Sequence, residues 1–371
     1  MDLSGISVLV TGGAGFIGAR LCTALVAQGA TVTAYDNLLQ QVHGDNRDNI
    51  DRLAASGARL IEGDVADSKA LRDALVTTRP QLVYHLAAET GTGQSFNEPA
   101  HYTMVNVQGT SYLIEAIRAV GGVRRVVLAA SRSVYGEGAC VDADGVARAA
   151  VARSAEALGR GDYAPRDADG RALTPVPTAA ARCPVAPASV YASSKLMQEY
   201  LLQQAFWGLD VEVGLLRLQN VYGPGQSLSN PYTGVLSIFV RQILDGLILN
   251  IYEDGQITRD FVFVDDVVTA FMKMGQATAV PKGPVDIGLG QGTSILDVAR
   301  LMLQALGAPP DQLRITGHFR AGDIRYGVAD ITAARDVLGW QPEVHLAEGL
   351  DHLLQWSQEG GQTTAPNEAT T

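Results

Sequence analysis

The chain has 371 residues, of which 47% are hydrophobic and 18% charged, so it can bury the core of two domains or of one large one. Its formal net charge of −11 and the lack of a basic stripe argue against nucleic-acid binding, which needs cations along the phosphate backbone. The first apolar run, residues 6–10, is too short to cross a bilayer, and three cysteines without CxxC spacing fit a reducing compartment. We expect a globular, cytoplasmic protein without a nucleic-acid or membrane partner.

Short β-branched runs alternate with helical patterns in the first half of the chain. Between the runs, segments such as 19–28 and 111–120 show the 3.6-residue apolar repeat of helices that cover a sheet. A further strand at 211–218 follows a helix at 189–207. This alternation predicts an α/β fold, a Rossmann-type doubly wound parallel sheet over residues 1–220. The other runs, typical of buried parallel strands, are 6–11, 31–36, 59–64, 82–87 and 125–131.

The second half of the chain has a mixed pattern. We expect a smaller α/β substrate-binding domain over residues 221–358, interleaved with elements of the first domain near 265–288. Residues 138–184 are predicted to be a long insertion with little regular structure outside 146–158, and residues 359–371 a disordered tail. The expected strands are 261–264, 284–288 and 313–316, and the expected helices are 265–274 and 295–305.

A glycine loop follows the first predicted strand and opens the first helix. Gly12 allows a tight turn, Gly15 lets the backbone approach a pyrophosphate, and Gly18 permits close packing of the helix. Asp36 ends the second strand, where a carboxylate accepts hydrogen bonds from ribose hydroxyls and repels a 2′-phosphate. This pattern predicts NAD as the cofactor in preference to NADP, although Arg47 leaves NADP open. Asp64, after the third strand, is a candidate at the adenine edge.

A second constellation carries chemistry. Tyr191 and Lys195 stand four residues apart and therefore share one helix face. A nearby ammonium stabilises a phenolate and lowers the pKa of the tyrosine, which makes it a usable base. Ser131 ends the fifth strand, and strand ends of such sheets face the ligand crevice. Ser131 could therefore bridge a substrate oxygen and the phenol.

These pieces resemble the extended short-chain dehydrogenases that act on nucleotide sugars. The similarity extends in order over nearly the whole chain. The matching segments are TGGAGFIG (11–18), YDNL (35–38), GDV (63–65), HLAA (85–88), NVQGT (106–110), SRSVYG (131–136), YASSK (191–195), RLQNVYGPG (217–225), DGQITRDFVFVDD (254–266) and RAGDIRYGVAD (320–330).

The resemblance implies a role for each matching residue. Tyr191 would be the base, Lys195 its activator and a ligand of the nicotinamide ribose, and Ser131 the hydroxyl partner. The sugar diphosphate would contact Ser131, Arg132, Asn220, Arg259 and Arg320, with Arg325 as a further candidate. Besides the residues named above, those implied to contact NAD are Phe16, Ile17, Asn37, Val65, Leu86, Ala87, Ala88 and Asn106.

The residues after Ser131 bear on the reaction. Relatives that dehydrate a sugar carry Asp-Glu at positions filled here by Arg132 and Ser133, and decarboxylases keep a glutamate at the second of them. Without those acids, the reaction that needs only one base and a reversible hydride store is 4-epimerisation. Tyr191 would remove the C4 hydroxyl proton while hydride passes to NAD⁺, and the 4-ketose would receive it back on its other face.

Within the family, SRSVYGEG followed by an insertion and GPGQSLSNPYTGVLSIF (223–239) most resemble dTDP-L-rhamnose 4-epimerases, which form dTDP-6-deoxy-L-talose. UDP-glucose/UDP-galactose 4-epimerase is the alternative. A non-enzymatic NAD sensor is a third reading, weakened because such proteins commonly lose the tyrosine or lysine. Those dTDP-L-rhamnose relatives often have paired cysteines in the insertion, whereas Cys140 and Cys183 stand alone here, which predicts no metal.

The resemblance also implies a homodimer. In the family, helices corresponding to 111–120 and 189–207 pair across a four-helix seam. Leu196, Met197, Leu201 and Phe206 are apolar beyond what one sheet face requires. Burial of these residues under the insertion is the alternative.

Overall fold

A seven-stranded parallel sheet forms the centre of the computed structural model, which describes residues 2–44, 47–228, 230, 232, 234–320 and 322–359. Of the tail predicted at 359–371, residues 360–371 lie outside these residues. The strands are β1 (Ser7–Thr11), β2 (Thr31–Asp36), β3 (Arg59–Glu62), β4 (Leu82–His85), β5 (Arg125–Ser131), β6 (Ala139–Val141), β7 (Ala147–Ala149), β8 (Thr174–Pro175), β9 (Glu212–Leu218), β10 (Asn220–Tyr222), β11 (Leu249–Ile251), β12 (Thr258–Phe263), β13 (Val285–Ile287), β14 (Gly292–Ser294), β15 (Leu313–Ile315) and β16 (Tyr326–Gly327).

The helices surround this sheet and complete the second half of the chain. A π-helical segment (Thr103–Gln108) precedes α7, and a short 3₁₀-helix (Arg132–Tyr135) follows β5. The α-helices are α1 (Phe16–Ala27), α2 (Gln40–His43), α3 (Asp48–Ser56), α4 (Ser68–Thr78), α5 (Thr92–Asn97), α6 (Pro99–Tyr102), α7 (Gly109–Val120), α8 (Ala155–Gly159), α9 (Val190–Ala205), α10 (Val235–Leu244), α11 (Val264–Gln276), α12 (Ile295–Ala305), α13 (Thr332–Leu338) and α14 (Leu346–Gln358).

The order of the large sheet is β13-β9-β5-β4-β1-β2-β3. Its central strands, such as β1, β4 and β5, are buried on both faces because helices cover each side, which explains their nearly continuous apolar sequences. In β1, Val8 and Val10 belong to one core cluster and Leu9 to the cluster on the opposite face. The predicted Rossmann-type fold is therefore confirmed, and β13 shows that the chain returns to this sheet late in the sequence.

A third core cluster lies in the second half of the chain, around Tyr222, Phe239 and Phe261. There β12 pairs with β10 and β16 in parallel and with β14 in antiparallel, while β11 pairs with β15. In the part of the chain that the structure describes, no helix is long and apolar enough to span a membrane.

The insertion has more regular structure than its sequence predicts. It forms a three-stranded antiparallel sheet, β7-β6-β8, and contains the short helix α8. Arg153, only 3% exposed, places its guanidinium 2.9 Å from Glu137 and 2.8 Å from Glu253. Because Glu253 belongs to the second half, this buried ion pair anchors the insertion to the second half of the chain. Outside residues 146–158 the insertion adds only the short strands β6 and β8, because pairing between distant short segments leaves no local periodicity.

The carboxylate of Asp260 joins three segments of the chain, so its loss is expected to destabilise the fold. Asp260 is fully buried in β12, and its carboxylate accepts hydrogen bonds from the backbone N–H groups of Leu289 (2.6 Å), Gly290 (3.0 Å) and Ala329 (3.1 Å). Asp260→Ala removes both carboxylate oxygens and leaves the three N–H groups without their acceptor, so we expect the free energy of unfolding to fall by roughly 3 kcal/mol or more. The free energy of unfolding is measured by denaturation in urea. The exposed Asp210→Ala is the control and should change this free energy by under about 0.5 kcal/mol; equal losses would contradict the prediction.

Candidate active site and cofactor cleft

The glycine loop connects β1 to α1 at the carboxyl edge of the sheet. Gly12 has a φ of 69°, and a Cβ there would lie 2.7 Å from the backbone nitrogen of Ala87. A Cβ on Gly18 would overlap the carbonyl oxygen of Gly12. Gly15 is the N-cap of α1 and offers no side chain to the first N–H groups of the helix. Those N–H groups are left to bind an anion, and the helix dipole favours it.

Asp36 lies at the end of β2 beside this loop. Its Oδ2 accepts a hydrogen bond from the Ala14 N–H and its Oδ1 one from the Leu38 N–H, both at 2.9 Å. Nε2 of His43 lies 3.5 Å from Asp36 Oδ1, and both side chains are 8% exposed. The carboxylate is thus held in place at the position expected for a ribose ligand.

One cleft brings most of the predicted cofactor residues together. Of the predicted residues, it is lined by Gly12, Gly15, Asp36, Asn37, Asp64, Val65, Leu86, Ala87 and Ala88. Phe16 and Ile17 begin α1 and pack partly against the apolar cores instead of lining the cleft. The Asp64 Oδ2 accepts a hydrogen bond of 2.9 Å from the Asn37 side chain, which joins the ends of β2 and β3.

Asn106 does not line this cleft. It is fully buried, and its amide exchanges hydrogen bonds with the backbone of Glu89 (2.7 and 3.0 Å) and donates to Ser194 Oγ (2.9 Å). A contact of Asn106 with the cofactor stays a prediction. Because its donors and acceptor are used within the protein, Asn106 fixes the segment after β4 and the start of α9.

Several lining residues were not predicted. Glu89 and Thr90 directly follow the predicted residues 86–88 after β4, so extending that segment by two residues would have found them. The residues of the segment after β2 have no such signal, because a four-residue helix leaves no periodicity. They are Leu39, Gln41, Val42 and His43.

The three predicted catalytic side chains lie on two elements that pack together, β5 and α9. Ser131 ends β5, and its Oγ accepts hydrogen bonds from the backbone N–H (3.2 Å) and the hydroxyl (2.9 Å) of Ser133. Tyr191 and Lys195 lie on the first two turns of α9, which packs against β5 and begins at the capping residue Ser189. The ring of Tyr191 packs edge to face on Tyr102, with centroids 6.4 Å apart.

The electrostatics of Tyr191 differ from the sequence-based expectation. Burial raises its pKa above the ordinary value, while the Ser131 hydroxyl and the Arg132 charge oppose the rise. The expected net lowering by Lys195 is thus wrong for the protein alone, because desolvation of the phenolate outweighs the nearby charges. Arg132 is a contributor that the YxxxK spacing did not reveal.

Lys195 is only 4% exposed. Burial lowers its pKa to about 8, and the carboxylate of Glu199, one turn further along α9, opposes that fall. Glu199 also binds Arg217 at 2.6 Å, so its charge is shared between two cations. The ammonium at Lys195 consequently titrates close to neutral pH, unlike an exposed lysine.

The predicted substrate residues lie on the second half of the molecule and at the end of β5. Arg259 is 6% exposed and pairs with Asp323 at 2.5 Å. Arg320 lies over the ring of Tyr252, 4.5 Å from its centroid, with its guanidinium exposed. Arg325 pairs with Glu253 and Asp254, so its charge is already matched.

Two further groups stand ready for a ligand. The Asn220 Oδ1 is buried and without a hydrogen-bond partner among the described residues, an arrangement that is costly unless a ligand or water supplies a donor. Burial and the neighbouring charge of Arg259 lower the pKa of Arg132 to about 9. A polyanion placed between these arginines would relieve their mutual repulsion.

The residues of the cleft fit a dinucleotide. The Gly12 and Gly18 positions are too close to backbone for a side chain, the N-terminus of α1 presents its N–H groups, and Asp36 stands ready for a ribose. By contrast, the described residues contain no cluster of three or more His, Cys, Asp or Glu side chains suited to a metal. Cys140 and Cys183 are buried free thiols.

Comparisons with known proteins agree with this geometry. A profile of the NAD dependent epimerase/dehydratase family matches residues 8–288. A dTDP-L-rhamnose 4-epimerase of Burkholderia thailandensis is 40% identical over 95% of each chain. A UDP-glucose 4-epimerase of Mycolicibacterium smegmatis is 33% identical over 95% of this chain and 99% of its own.

Solved structures give the same result. The UDP-glucose 4-epimerase of Thermus thermophilus in complex with NAD superposes with a TM-score of 0.74 at 27% identity, covering 95% of this chain and 98% of its own. The UDP-glucose 4-epimerase of Thermotoga maritima with UDP-glucose has a TM-score of 0.76 at 27% identity, with the same coverage. The predicted family is confirmed: the chain belongs to the NAD-dependent epimerase/dehydratase family, and its cofactor is NAD.

Proposed function

We propose that this chain is an NAD-dependent nucleotide-sugar 4-epimerase that interconverts dTDP-L-rhamnose and dTDP-6-deoxy-L-talose through a transient 4-keto sugar. The observation that carries the proposal is the juxtaposition of Ser131, Tyr191 and Lys195 with Arg132 and Ser133 where a dehydratase needs two acids.

The surrounding carboxylates support this reading. The negative charges of Asp323 and Glu137 act on Arg132 and oppose the lowering of its pKa. Both are already bound to arginines, Asp323 to Arg259 and Glu137 to Arg153. A carboxylate held in an ion pair is a poor proton donor, so these groups do not replace the acid that loss of water requires.

The chain's own residues are assigned the proton transfer at C4 and the stabilisation of the base. Tyr191 accepts the proton of the C4 hydroxyl and later returns it, while Ser131 holds the C4 oxygen in place by a hydrogen bond. The charge of Arg132 stabilises the phenolate, and the ammonium of Lys195, one turn along α9, is proposed to do the same. Bound NAD supplies a reversible hydride acceptor, so no net redox change occurs.

Substrate binding is assigned to the second half of the molecule. Arg259 and Arg320 hold the diphosphate, and the unpartnered Asn220 Oδ1 accepts a hydrogen bond from the substrate. The relative from Burkholderia thailandensis supports a 6-deoxy sugar on dTDP. The 33% identical UDP-glucose 4-epimerase of Mycolicibacterium smegmatis favours the alternative, a UDP-glucose/UDP-galactose 4-epimerase.

The first test replaces Tyr191. Tyr191→Phe removes the base and keeps the ring that packs on Tyr102, so we expect the rate of epimerisation to fall by about 10²–10⁴-fold without loss of fold. Purified protein is incubated with dTDP-L-rhamnose or with UDP-galactose, and the sugars are separated by chromatography. Conversion of the UDP-sugar alone would select the alternative substrate. Undiminished epimerisation by the variant would overturn the mechanism.

The second test uses pH. Lys195 carries its charge below its pKa of about 8 and loses it as the pH rises through that value. If the ammonium supports the phenolate, the rate of epimerisation falls above pH 8. Lys195→Arg keeps its charge throughout this range, so the residual rate of the variant should not fall there. An identical alkaline limb in both proteins would show that Lys195 is not its origin.

We further propose that the protein is a homodimer. The structure corrects which side chains are available, because Leu196 and Phe206 are buried within the chain and Leu201 is half-buried. Met197 and Tyr200 are 45% and 42% exposed on α9. Phe96 and Met104 are exposed on α5 and on the π-helical segment, which both pack on α9. An apolar exposed set on a helix of this kind supports a contact with a second copy.

The dimer proposal is tested by placing a negative charge in the proposed contact. Met197→Asp buries a carboxylate in the proposed contact, so the variant should sediment as a monomer at micromolar concentration while the unmodified chain sediments as a dimer. Leu301→Asp is the matched control, since Leu301 is 43% exposed on α12 in the other half of the chain. A dimer that persists in Met197→Asp, or is lost equally in the control, would contradict this contact.

A further inference from the structure

The cofactor cleft is bordered by extensions of two strands that flank β1. In the sheet, β1 lies between β4 and β2. The chain continues from β2 into α2 and from β4 into α5, so these two short helices rise on either side of the glycine loop. A dinucleotide bound along that loop must therefore pass between the two extensions.

A pair of side-chain amides joins the two sides. Nε2 of Gln41 on α2 donates to Oε1 of Gln94 on α5 at 3.0 Å, and Nε2 of Gln94 donates back to Oε1 of Gln41 at 3.3 Å. Gln41 itself lines the cleft. The two extensions are thus joined into a closed ring of contacts at the edge of the cleft that Gln41 lines, made by β1, β2, α2, the amide pair, α5 and β4.

The two partners are held differently. Gln94 is 5% exposed, and its amide also donates to both carboxylate oxygens of Glu98 (3.1 and 3.2 Å). The side chain of Gln41 forms hydrogen bonds only with Gln94 among the described residues. On its other side α2 is tethered by His43, which lies 3.5 Å from Asp36. The side chain of Gln94 is therefore held in place by its own neighbours, whereas that of Gln41 can move away once its bonds to Gln94 break.

We propose that Gln41 and Gln94 form a latch that retains NAD in this cleft between turnovers. The pair makes two neutral hydrogen bonds, which are strong enough to slow release and weak enough to open for exchange. Neither residue touches the predicted catalytic side chains. They act as positioning residues that keep the segment after β2 closed over the dinucleotide.

The latch has a physical role in any reaction that returns its hydride. An enzyme that leaves its cofactor unchanged after each cycle has no need to exchange it, and every release of the reduced form would strand a half-finished substrate. A ring that must open before NAD leaves reduces that loss. The inference concerns cofactor release, so it does not depend on which sugar the site accepts.

The experiment measures the release of NAD from the full chain. Protein loaded with NAD is mixed with an alcohol dehydrogenase and ethanol, which convert each released NAD to NADH, and the NADH absorbance gives the rate. Gln41→Ala and Gln41→Met both remove the hydrogen bonds, and the second keeps the length of the side chain. We expect release to be roughly tenfold faster in both variants, as for the loss of two neutral hydrogen bonds.

Two further variants sharpen the result. Gln40→Ala is the matched control, because Gln40 precedes Gln41 on the same helix and is exposed; its release rate should equal that of the unmodified chain. Adding Gln94→Ala to Gln41→Ala should cause little further acceleration if the two residues act only on each other. Release from Gln41→Ala within about twofold of the unmodified rate, or an equal acceleration in Gln40→Ala, would overturn the latch.

Discussion

The close approach of two backbones at the carboxyl edge of the sheet underlies the whole site. Gly12, at the end of β1, leaves no room for a side chain beside Ala87, which follows β4. Because neighbouring parallel strands end at the same edge, this contact brings the glycine loop, the segment after β4 and the carboxylate of Asp36 around one cleft. Every other part of the cofactor site depends on that spacing.

Burial governs the chemistry beside the cleft. The same helix, α9, presents Tyr191 and Lys195 to the end of β5 and takes both away from water. Desolvation raises the pKa of the phenol and lowers that of the ammonium, so two groups with similar ordinary pKa values move apart, the lysine below the tyrosine. Neighbouring charges oppose both shifts without reversing them: Arg132 acts on Tyr191 and Glu199 acts on Lys195. The site is a small set of coupled charges rather than an isolated tyrosine and lysine.

The insertion and the second half of the chain form the opposite wall. Buried pairing of Arg153 with Glu137 and Glu253 joins the insertion to the segment that continues into β12, which carries Arg259. Breaking one member of such a pair leaves a charge buried without a partner, which is strongly destabilising. The arginines proposed to hold the diphosphate therefore lie on a wall that ion pairs keep in place.

The sequence by itself determined the parts that depend on near neighbours in the chain. The glycine loop, the strand runs such as 125–131 and the shared face of Tyr191 and Lys195 follow from spacing, because backbone geometry converts spacing into direction. The tertiary structure alone decided the rest. The side-chain amide of Asn106 is hydrogen-bonded to Glu89 and Ser194. Phe206 is buried in the core. Gln41 forms a hydrogen bond with Gln94. These contacts join residues far apart in the sequence, so they depend on the path of the chain and leave no periodic signal.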